Sequence, residues 1–149
     1  MTPATYIDIN AASIPAYDLD GVKIKAIAGD LADNDARVRG TVTGLSTDPT
    51  YLDIGFSDAS QVDVDVPAGY TALVYVYRGS GIIKDSEYQL TKGKIARLSP
   101  EGLLYLNAVS GTKLLLITGK PIAQRGLFVM NTMDEIYQAI RDYSEGSLV

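Results

Sequence analysis

The chain has 149 residues, of which 46% are apolar and 21% are charged, and these values are typical of one globular domain. It contains no cysteine, histidine or tryptophan. The missing cysteine and histidine exclude disulfides, thiolate or imidazole metal ligands, and catalytic arrangements built on a histidine base. The net charge of −5 disfavours nucleic acid as a partner, because an acidic surface repels phosphates.

Hydropathy along the chain predicts no membrane contact. No stretch approaches the roughly 18 apolar residues of a membrane-spanning helix. The N-terminal residues Met1-Thr2-Pro3-Ala4-Thr5 lack the basic region and apolar core of a signal peptide. We therefore expect a cytoplasmic protein.

Short strands dominate the first three quarters of the chain. Residues 22–27 follow an Asp20-Gly21 turn and alternate apolar with charged side chains, which is typical of a half-buried strand. Further strands are predicted at 38–45, 51–56, 62–66 and 71–77. The last of these consists mainly of β-branched and aromatic residues, which favours a central position in a sheet.

Two hairpins are predicted after these strands. Residues 87–90 and 94–98 flank a Lys92-Gly93 turn, and residues 103–109 and 113–118 flank Ser110-Gly111. The strands follow one another at intervals of roughly 8–12 residues, a pattern typical of an all-β sandwich or barrel.

The last quarter of the chain changes to a helical period. Thr132 and Glu135 form a capping-box pattern, and Gly146 supplies a stop signal. The sequence predicts one helix at about 133–144 that packs an apolar stripe on the sheet. The stripe consists of Ile136, Ala139, Ile140 and Tyr143.

The C-terminal quarter resembles the signature that closes the pirin family. Its letters here are Gly126-Leu127-Phe128-Val129-Met130-Asn131-Thr132, then Asp134-Glu135-Ile136, Gln138-Ala139-Ile140 and Asp142-Tyr143. Segments similar to the family occur in the same order upstream, at 21–22, 26–29, 51–54, 66–69, 74–79 and 114–122. Leu127 stands where the family has proline, and the link 121–126 is shorter than in the family.

This resemblance implies a cupin fold and only one of the two domains that the family has. Pirins are bicupins, with two β-sandwich cupin domains in one chain, and this sequence resembles only the second. The family's metal is carried by the first, and members with an intact first domain resemble metal-dependent flavonol dioxygenases. We therefore expect residues 1–149 to form one cupin-like jelly-roll β-sandwich with a C-terminal helix, without a cofactor.

The cupin metal motif requires two histidines at spacing two, a carboxylate and a later histidine. Counted back from Gly79, the ligand positions fall on Asp65, Pro67 or Ala68 for the two histidines, Thr71 or Ala72 for the carboxylate, and Tyr105 for the later histidine. Of these only Asp65 offers an oxygen ligand. We therefore expect no metal site and assign no catalytic residue.

Tyrosines are the most distinctive side chains, with ten of them against two phenylalanines. Tyr75 and Tyr77 share one strand face with Thr71, and Tyr105 lies near the lost histidine. Their rings could plug the space that a metal would occupy, or they could line a small pocket and offer hydroxyls to a ligand. The alternative register, with the carboxylate position at Ala72, turns Tyr75 and Tyr77 outward.

The sequence favours a metal-free, non-catalytic cupin domain that acts as a binding or assembly module. A lone domain would expose the surface that packs on its sister domain, and a homodimer would cover that surface. One alternative is a small-molecule-binding protein or metal-independent enzyme that uses tyrosine and carboxylate chemistry in the barrel. Another is a subunit that needs a separately encoded first half.

Overall fold

The computed structural model describes residues 6–33, 36–84, 86, 88–99 and 102–147. Within these ranges the chain forms fourteen strands, a short 3-10 helix at Ala11–Ser13, and one α-helix, α1, at Met133–Glu145. The strands are β1 (Ala16–Leu19), β2 (Val22–Ala28), β3 (Asp30–Asp33), β4 (Ala36–Arg39), β5 (Thr50–Phe56), β6 (Ser60–Val66), β7 (Thr71–Arg78), β8 (Ser80–Ile83), β9 (Gln89–Thr91), β10 (Ile95–Arg97), β11 (Gly102–Ala108), β12 (Lys113–Gly119), β13 (Ala123–Arg125) and β14 (Phe128–Met130). The predicted all-β fold with one C-terminal helix is confirmed.

Two antiparallel sheets form a sandwich. The six-stranded sheet has the order β1-β2-β5-β12-β7-β10, and the four-stranded sheet has the order β6-β11-β8-β9. Two further hairpins, β3–β4 and β13–β14, lie outside these sheets. The predicted central strand, β7, lies between β12 and β10 in the six-stranded sheet.

Strict alternation along the strands builds the core. On β6, Val62, Val64 and Val66 are buried, while Asp63 and Asp65 between them are exposed. The other long strands bury every second residue in the same way, as period-two side chains require. The buried side chains of β2, β5, β7 and β12 meet those of β6 and β11 in one continuous cluster.

Both predicted hairpins are wrong in topology. β9 pairs with β8 in the four-stranded sheet, whereas β10 pairs with β7 in the six-stranded sheet. Likewise, β11 pairs with β6 and β8, and β12 pairs with β5 and β7. The turns at Gly93 and Gly111 do reverse the chain, but each one carries it from one sheet to the other.

One strand prediction also needs correction. The strand predicted at 38–45 ends at Arg39, and Val42 then makes only an isolated bridge to Ala28. Gly79 separates β7, which ends at Arg78, from β8, which begins at Ser80. Gly79 has a φ of 75° and lies so close to Thr112 that an added Cβ would come within 2.5 Å of its Oγ1, so glycine permits this approach.

The helix begins and ends where the sequence predicts. Thr132 and Glu135 form both hydrogen bonds of the capping box, and Gly146 closes the helix in a left-handed conformation. Ile136 and Ala139 are buried, but the helix packs mainly on the β13–β14 hairpin rather than on the main sheets. Tyr143 is exposed and meets the ring of Phe128 edge-on.

Two buried threonines at opposite ends of β12 differ in their hydrogen bonding. Thr112 Oγ1 donates to the Ser80 carbonyl at 2.9 Å and accepts from the Ser80 amide at 3.2 Å. Thr118 Oγ1 is buried without a hydrogen-bond partner among the described residues. A buried hydroxyl without a partner lowers the stability of the folded state.

Replacing each threonine by valine should therefore shift stability in opposite directions. We expect Thr118→Val to raise the free energy of unfolding by about 1 kcal/mol, because it removes an unsatisfied hydroxyl. Thr112→Val should lower it by about 1–3 kcal/mol, because both polar atoms of Ser80 lose a partner. Urea denaturation of the two variants measures both changes, and a loss of stability in Thr118→Val would contradict the first.

Candidate functional site

Hydrocarbon fills the space between the sheets, where the cupin resemblance would place a metal. Val64 and Val66 on β6, Leu104 and Leu106 on β11, and Val76 on β7 all lie there, none more than 5% exposed. These side chains have no lone pairs to offer to a metal. The interior is therefore a packed core.

The residues at the counted ligand positions do not fit a cupin metal. Asp65 lies on the solvent side of β6, and Ala72 is fully buried but offers only a methyl group. The buried polar side chains among the described residues are the hydroxyls of Thr112 and Thr118. No group of three carboxylates in the described part of the chain could hold a metal ion. Transition metals need imidazole, thiolate or clustered carboxylate ligands.

The tyrosines of β7 lie on the outer face of the six-stranded sheet. Ala72, Val74 and Val76 are buried, so the alternating positions of Tyr75 and Tyr77 face away from the core. The structure therefore has the alternative register of the sequence analysis, in which the carboxylate position falls on Ala72 and Tyr75 and Tyr77 point outward. Thr71 is on the same outer face, at the start of the strand.

Tyr105 is separated from the other three predicted site residues. It lies on β11 in the other sheet, half-buried, opposite Asp63 of β6. The ammonium of Lys84 lies 4.7 Å from the centre of its ring, a cation–π contact. The four predicted pocket residues therefore lie on the outer surfaces of two different sheets. Pocket lining by Thr71, Tyr75, Tyr77 and Tyr105 stays a prediction.

A groove of about 370 Å³ opens on the outer face of the six-stranded sheet. Tyr77 lines it, and the Tyr77 hydroxyl donates a hydrogen bond of 2.7 Å to Asp53 Oδ1. The Asp53 backbone lies on β5, two strands from β7. The groove is lined by Lys23, Lys25, Asp53, Gly55, Phe56, Ser57, Tyr77 and Lys113.

A register shift between β12 and β7 accompanies this hydrogen bond. Lys113 pairs with Arg78, but Leu114 pairs with Val76, so Tyr77 is the extra residue of a bulge. Bulges redirect side chains and recur beside functional sites. Sequence analysis missed Asp53 because its contact with Tyr77 depends on the β5–β12–β7 order. Alternation with buried Leu52 and Ile54 was the available signal that Asp53 faces outward.

Next to the groove, the outer face of the six-stranded sheet is apolar. We call this set of side chains the outer apolar face. Ile95, Tyr75 and Leu115 form one row across three strands, and Leu73, Ile117 and Tyr51 form a second. Ile95 is 64% exposed and Ile117 is 38% exposed. A contiguous apolar surface of this kind is typical of an interaction site.

A third cluster ties the loop before β5 to the start of β7. The Tyr70 hydroxyl donates to Asp48 Oδ2 at 2.7 Å, and Lys120 Nζ lies 3.5 Å from the same oxygen. The hydrogen bond from Tyr70 and the nearby ammonium hold the pKa of Asp48 below its usual value. The three side chains are partnered with one another, which fits a structural role.

The charge of Asp53 should influence the ionisation of Tyr77. Burial first, and then the hydrogen bond to Asp53, raises the pKa of Tyr77 from 10.0 to about 12. We expect Asp53→Asn to lower this pKa towards 10.0 without reaching it, because burial remains. NMR titration of ¹³C-labelled tyrosine measures the shift. Asp63→Asn on the other sheet is the control, and an unchanged Tyr77 pKa in Asp53→Asn would contradict the assignment.

The same pKa has a consequence for stability at high pH. Because the pKa of Tyr77 is higher in the folded state, its contribution to stability is complete below pH 10.0 and is lost as the pH rises to about 12. The loss should be smaller in Asp53→Asn. Denaturation curves at pH 9 and at about pH 11.5 measure the difference.

Comparison with curated proteins finds relatives about twice as long as this chain. A Pseudomonas aeruginosa protein named "Putative quercetin 2,3-dioxygenase" is 37% identical over 99% of this chain and 54% of its own length. A pirin-like protein of Arabidopsis thaliana is 31% identical over 93% of this chain and 47% of its own length. The chain thus spans about half the length of these relatives.

Solved structures show the same relation. The crystal structure of quercetin 2,3-dioxygenase from Acinetobacter baumannii matches with a TM-score of 0.69 and 35% identity, over 99% of this chain and 52% of that one. A Geobacillus kaustophilus structure matches in fold, with a TM-score of 0.71 and 21% identity, over 81% of this chain and 49% of that one. In the described part of the chain, no helix is long and apolar enough to cross a membrane.

The family model of the pirin C-terminal cupin domain matches residues 51–149. That range contains most of both sheets and the whole of α1, so the cupin fold predicted from the sequence is confirmed. The chain belongs to the pirin family, and it carries that family's C-terminal cupin domain.

Proposed function

We propose that this domain works as a metal-free assembly module that forms a homodimer through its outer apolar face. The observation that carries the proposal is the position of the apolar side chains. The interior is packed with them and offers no metal ligands among the residues that the structure describes, while a second set is left exposed on the six-stranded sheet. Exposed apolar rows of this kind gain stability when a partner covers them.

A second copy of the chain is the occupant that the outer apolar face suits. A twofold contact buries the same surface on both copies, so one apolar face is sufficient for both.

The surroundings of the outer apolar face also suit an interface. Arg97 lies opposite Leu73 at one edge of the sheet, and Asp53 lies opposite Leu115 on the other side. The apolar rows therefore have charged side chains beside them, as the core and rim of a protein interface do. Tyr75 in the middle adds a large and stiff ring, a residue type common among energetically dominant contacts.

An enzyme is the second candidate function, because relatives carry dioxygenase names. Those proteins extend well beyond the length of this chain. Metal-independent chemistry in the barrel lacks support, because the buried side chains described there are apolar apart from two threonine hydroxyls. The Tyr77–Asp53 pair lies outside the barrel, on the sheet surface.

The dimer is testable with charges placed on the outer apolar face. We expect light scattering after gel filtration to give twice the chain mass of 16.0 kDa for the natural sequence. Ile95→Glu or Ile117→Glu should give a monomer, with the dissociation constant raised by about a hundredfold or more, because an unpaired carboxylate would be buried.

The control for this test is Ile82→Glu. Ile82 is 46% exposed, similar to Ile117, but it lies on the four-stranded sheet. This variant should remain a dimer. A monomeric natural chain, or dimers that survive both outer-face variants, would refute the proposal.

In the described ranges of the chain no set of side chains fits a transition metal, and this predicts how the protein behaves with metals. We expect the purified chain, incubated with Fe²⁺, Ni²⁺ or Cu²⁺ and then desalted, to retain no stoichiometric metal and to consume no quercetin. Native mass spectrometry measures retention, and absorbance follows the flavonol. One bound metal per chain would favour the enzyme.

A further inference from the structure

The groove on the six-stranded sheet carries a second and independent feature, an excess of positive charge. Its three lysines, Lys23, Lys25 and Lys113, stand against one carboxylate, Asp53. None of the three forms an ion pair among the residues that the structure describes. Beyond the groove lining, Asp18 of β1 lies opposite Lys23 and Arg78 of β7 lies opposite Lys113, and these two neighbours leave the positive excess unchanged. In a chain of net charge −5, this is a local cationic site.

Strand pairing places two of these lysines on either side of a glycine. Gly55 of β5 is directly opposite Lys23 of β2 and Lys113 of β12. Neighbouring strands are about 4.8 Å apart, so the two lysine backbones lie roughly 10 Å from each other with a bare backbone between them. An anion of a few heavy atoms can bridge such a gap.

The backbone at Gly55 does not itself require a glycine. Its φ is outside the left-handed region, and an added Cβ would meet the nearest atoms, Lys113 Cγ and the Lys23 carbonyl oxygen, at 3.9 and 4.0 Å. These are ordinary van der Waals distances. Glycine within a strand weakens the strand, and its use often marks a site where a ligand approaches the backbone closely.

The remaining groups indicate what else the ligand would carry. The Tyr77 ring forms an apolar wall, and its hydroxyl is engaged with Asp53. The Asp53 carboxylate still has acceptor sites for a ligand hydroxyl. A volume of about 370 Å³ is within the range of small-molecule sites.

We propose that this groove binds a small hydroxylated organic phosphate, with the phosphate between Lys23 and Lys113 over Gly55 and a hydroxyl on Asp53. A phosphate monoester has close to two negative charges at neutral pH, which equals the excess of three lysines over one carboxylate. The site lies beside the outer apolar face and does not depend on dimer formation.

The probes are glucose 6-phosphate, inorganic phosphate and glucose, titrated at low salt into the ¹⁵N-labelled natural chain. We expect glucose 6-phosphate to shift the amide signals of Gly55 and Tyr77 and to bind more tightly than inorganic phosphate. Glucose should not bind. Shifts at these amides report the groove whatever the oligomeric state of the protein.

Two variants separate ligand binding from folding. Gly55→Val should fill the floor of the groove and weaken glucose 6-phosphate binding by at least about tenfold, without loss of thermal stability, because valine suits an exposed strand. Lys113→Gln should weaken binding by about tenfold, because it removes a charge-assisted contact. Lys92→Gln, in the turn before β10, is the matched control and should change binding by less than about twofold.

The proposal would be overturned if glucose bound as tightly as glucose 6-phosphate, if affinity were unchanged in Gly55→Val, or if neither phosphate shifted the signals of Gly55 and Tyr77. If Lys92→Gln weakened binding as much as Lys113→Gln, the attraction would be a general surface effect and the assigned site would be wrong.

Discussion

The fold depends on hydrocarbon packing between strands β6, β7, β11 and β12. Val62, Val64 and Val66 meet Leu104 and Leu106 within their own sheet, and the facing sheet adds buried side chains to the same cluster. Such a core is close-packed, so it has no room for a hydrated metal or a polar substrate. The described carboxylates, lysines and tyrosine hydroxyls consequently lie outside the core, and any recognition chemistry has to take place on the outer faces of the sheets.

Sequence reasoning succeeded where the physics is local. The alternation at 62–66 specifies which residues are buried without any knowledge of the partner strand, because successive side chains point to opposite faces. The capping box at Thr132 and Glu135 likewise depends on contacts within one turn. The family signature then supplied the fold, which periodicity alone left open between a sandwich and a barrel.

It failed where the outcome depends on distant pairing. A turn at Gly93 or Gly111 specifies that the chain reverses, but strand order decides which sheet receives the next strand. The same limit applies to the groove. Tyr77 and Asp53 are 24 residues apart, and their contact needs both the insertion of β12 between β5 and β7 and a one-residue bulge, neither of which leaves a local pattern.

The six-stranded sheet combines two outer surfaces with different physical characters. The apolar rows lie where β5, β7, β10 and β12 present leucine, isoleucine and tyrosine, and the cationic groove lies towards β2, where lysines alternate with buried residues. Lysine is strongly hydrated and keeps its charge in water, so burial of the groove lysines under a partner is unfavourable. An interface that covers the apolar rows would therefore end at the groove. The side chains alone therefore divide one sheet into an apolar part, which the proposed dimer would cover, and a hydrated part.

Net charge and local charge lead to different expectations for anions, and the distance of screening reconciles them. At physiological ionic strength, exposed charges are largely screened beyond about 8 Å. A small anion bridging Lys23 and Lys113 across Gly55 would therefore respond mainly to the groove and to its cross-strand neighbours, Asp18 opposite Lys23 and Arg78 opposite Lys113. More distant carboxylates of the surface would contribute little. A nucleic acid is longer than this screening distance and would meet the acidic remainder of the protein. A chain of net charge −5 can thus repel a polyanion and still attract a small phosphate.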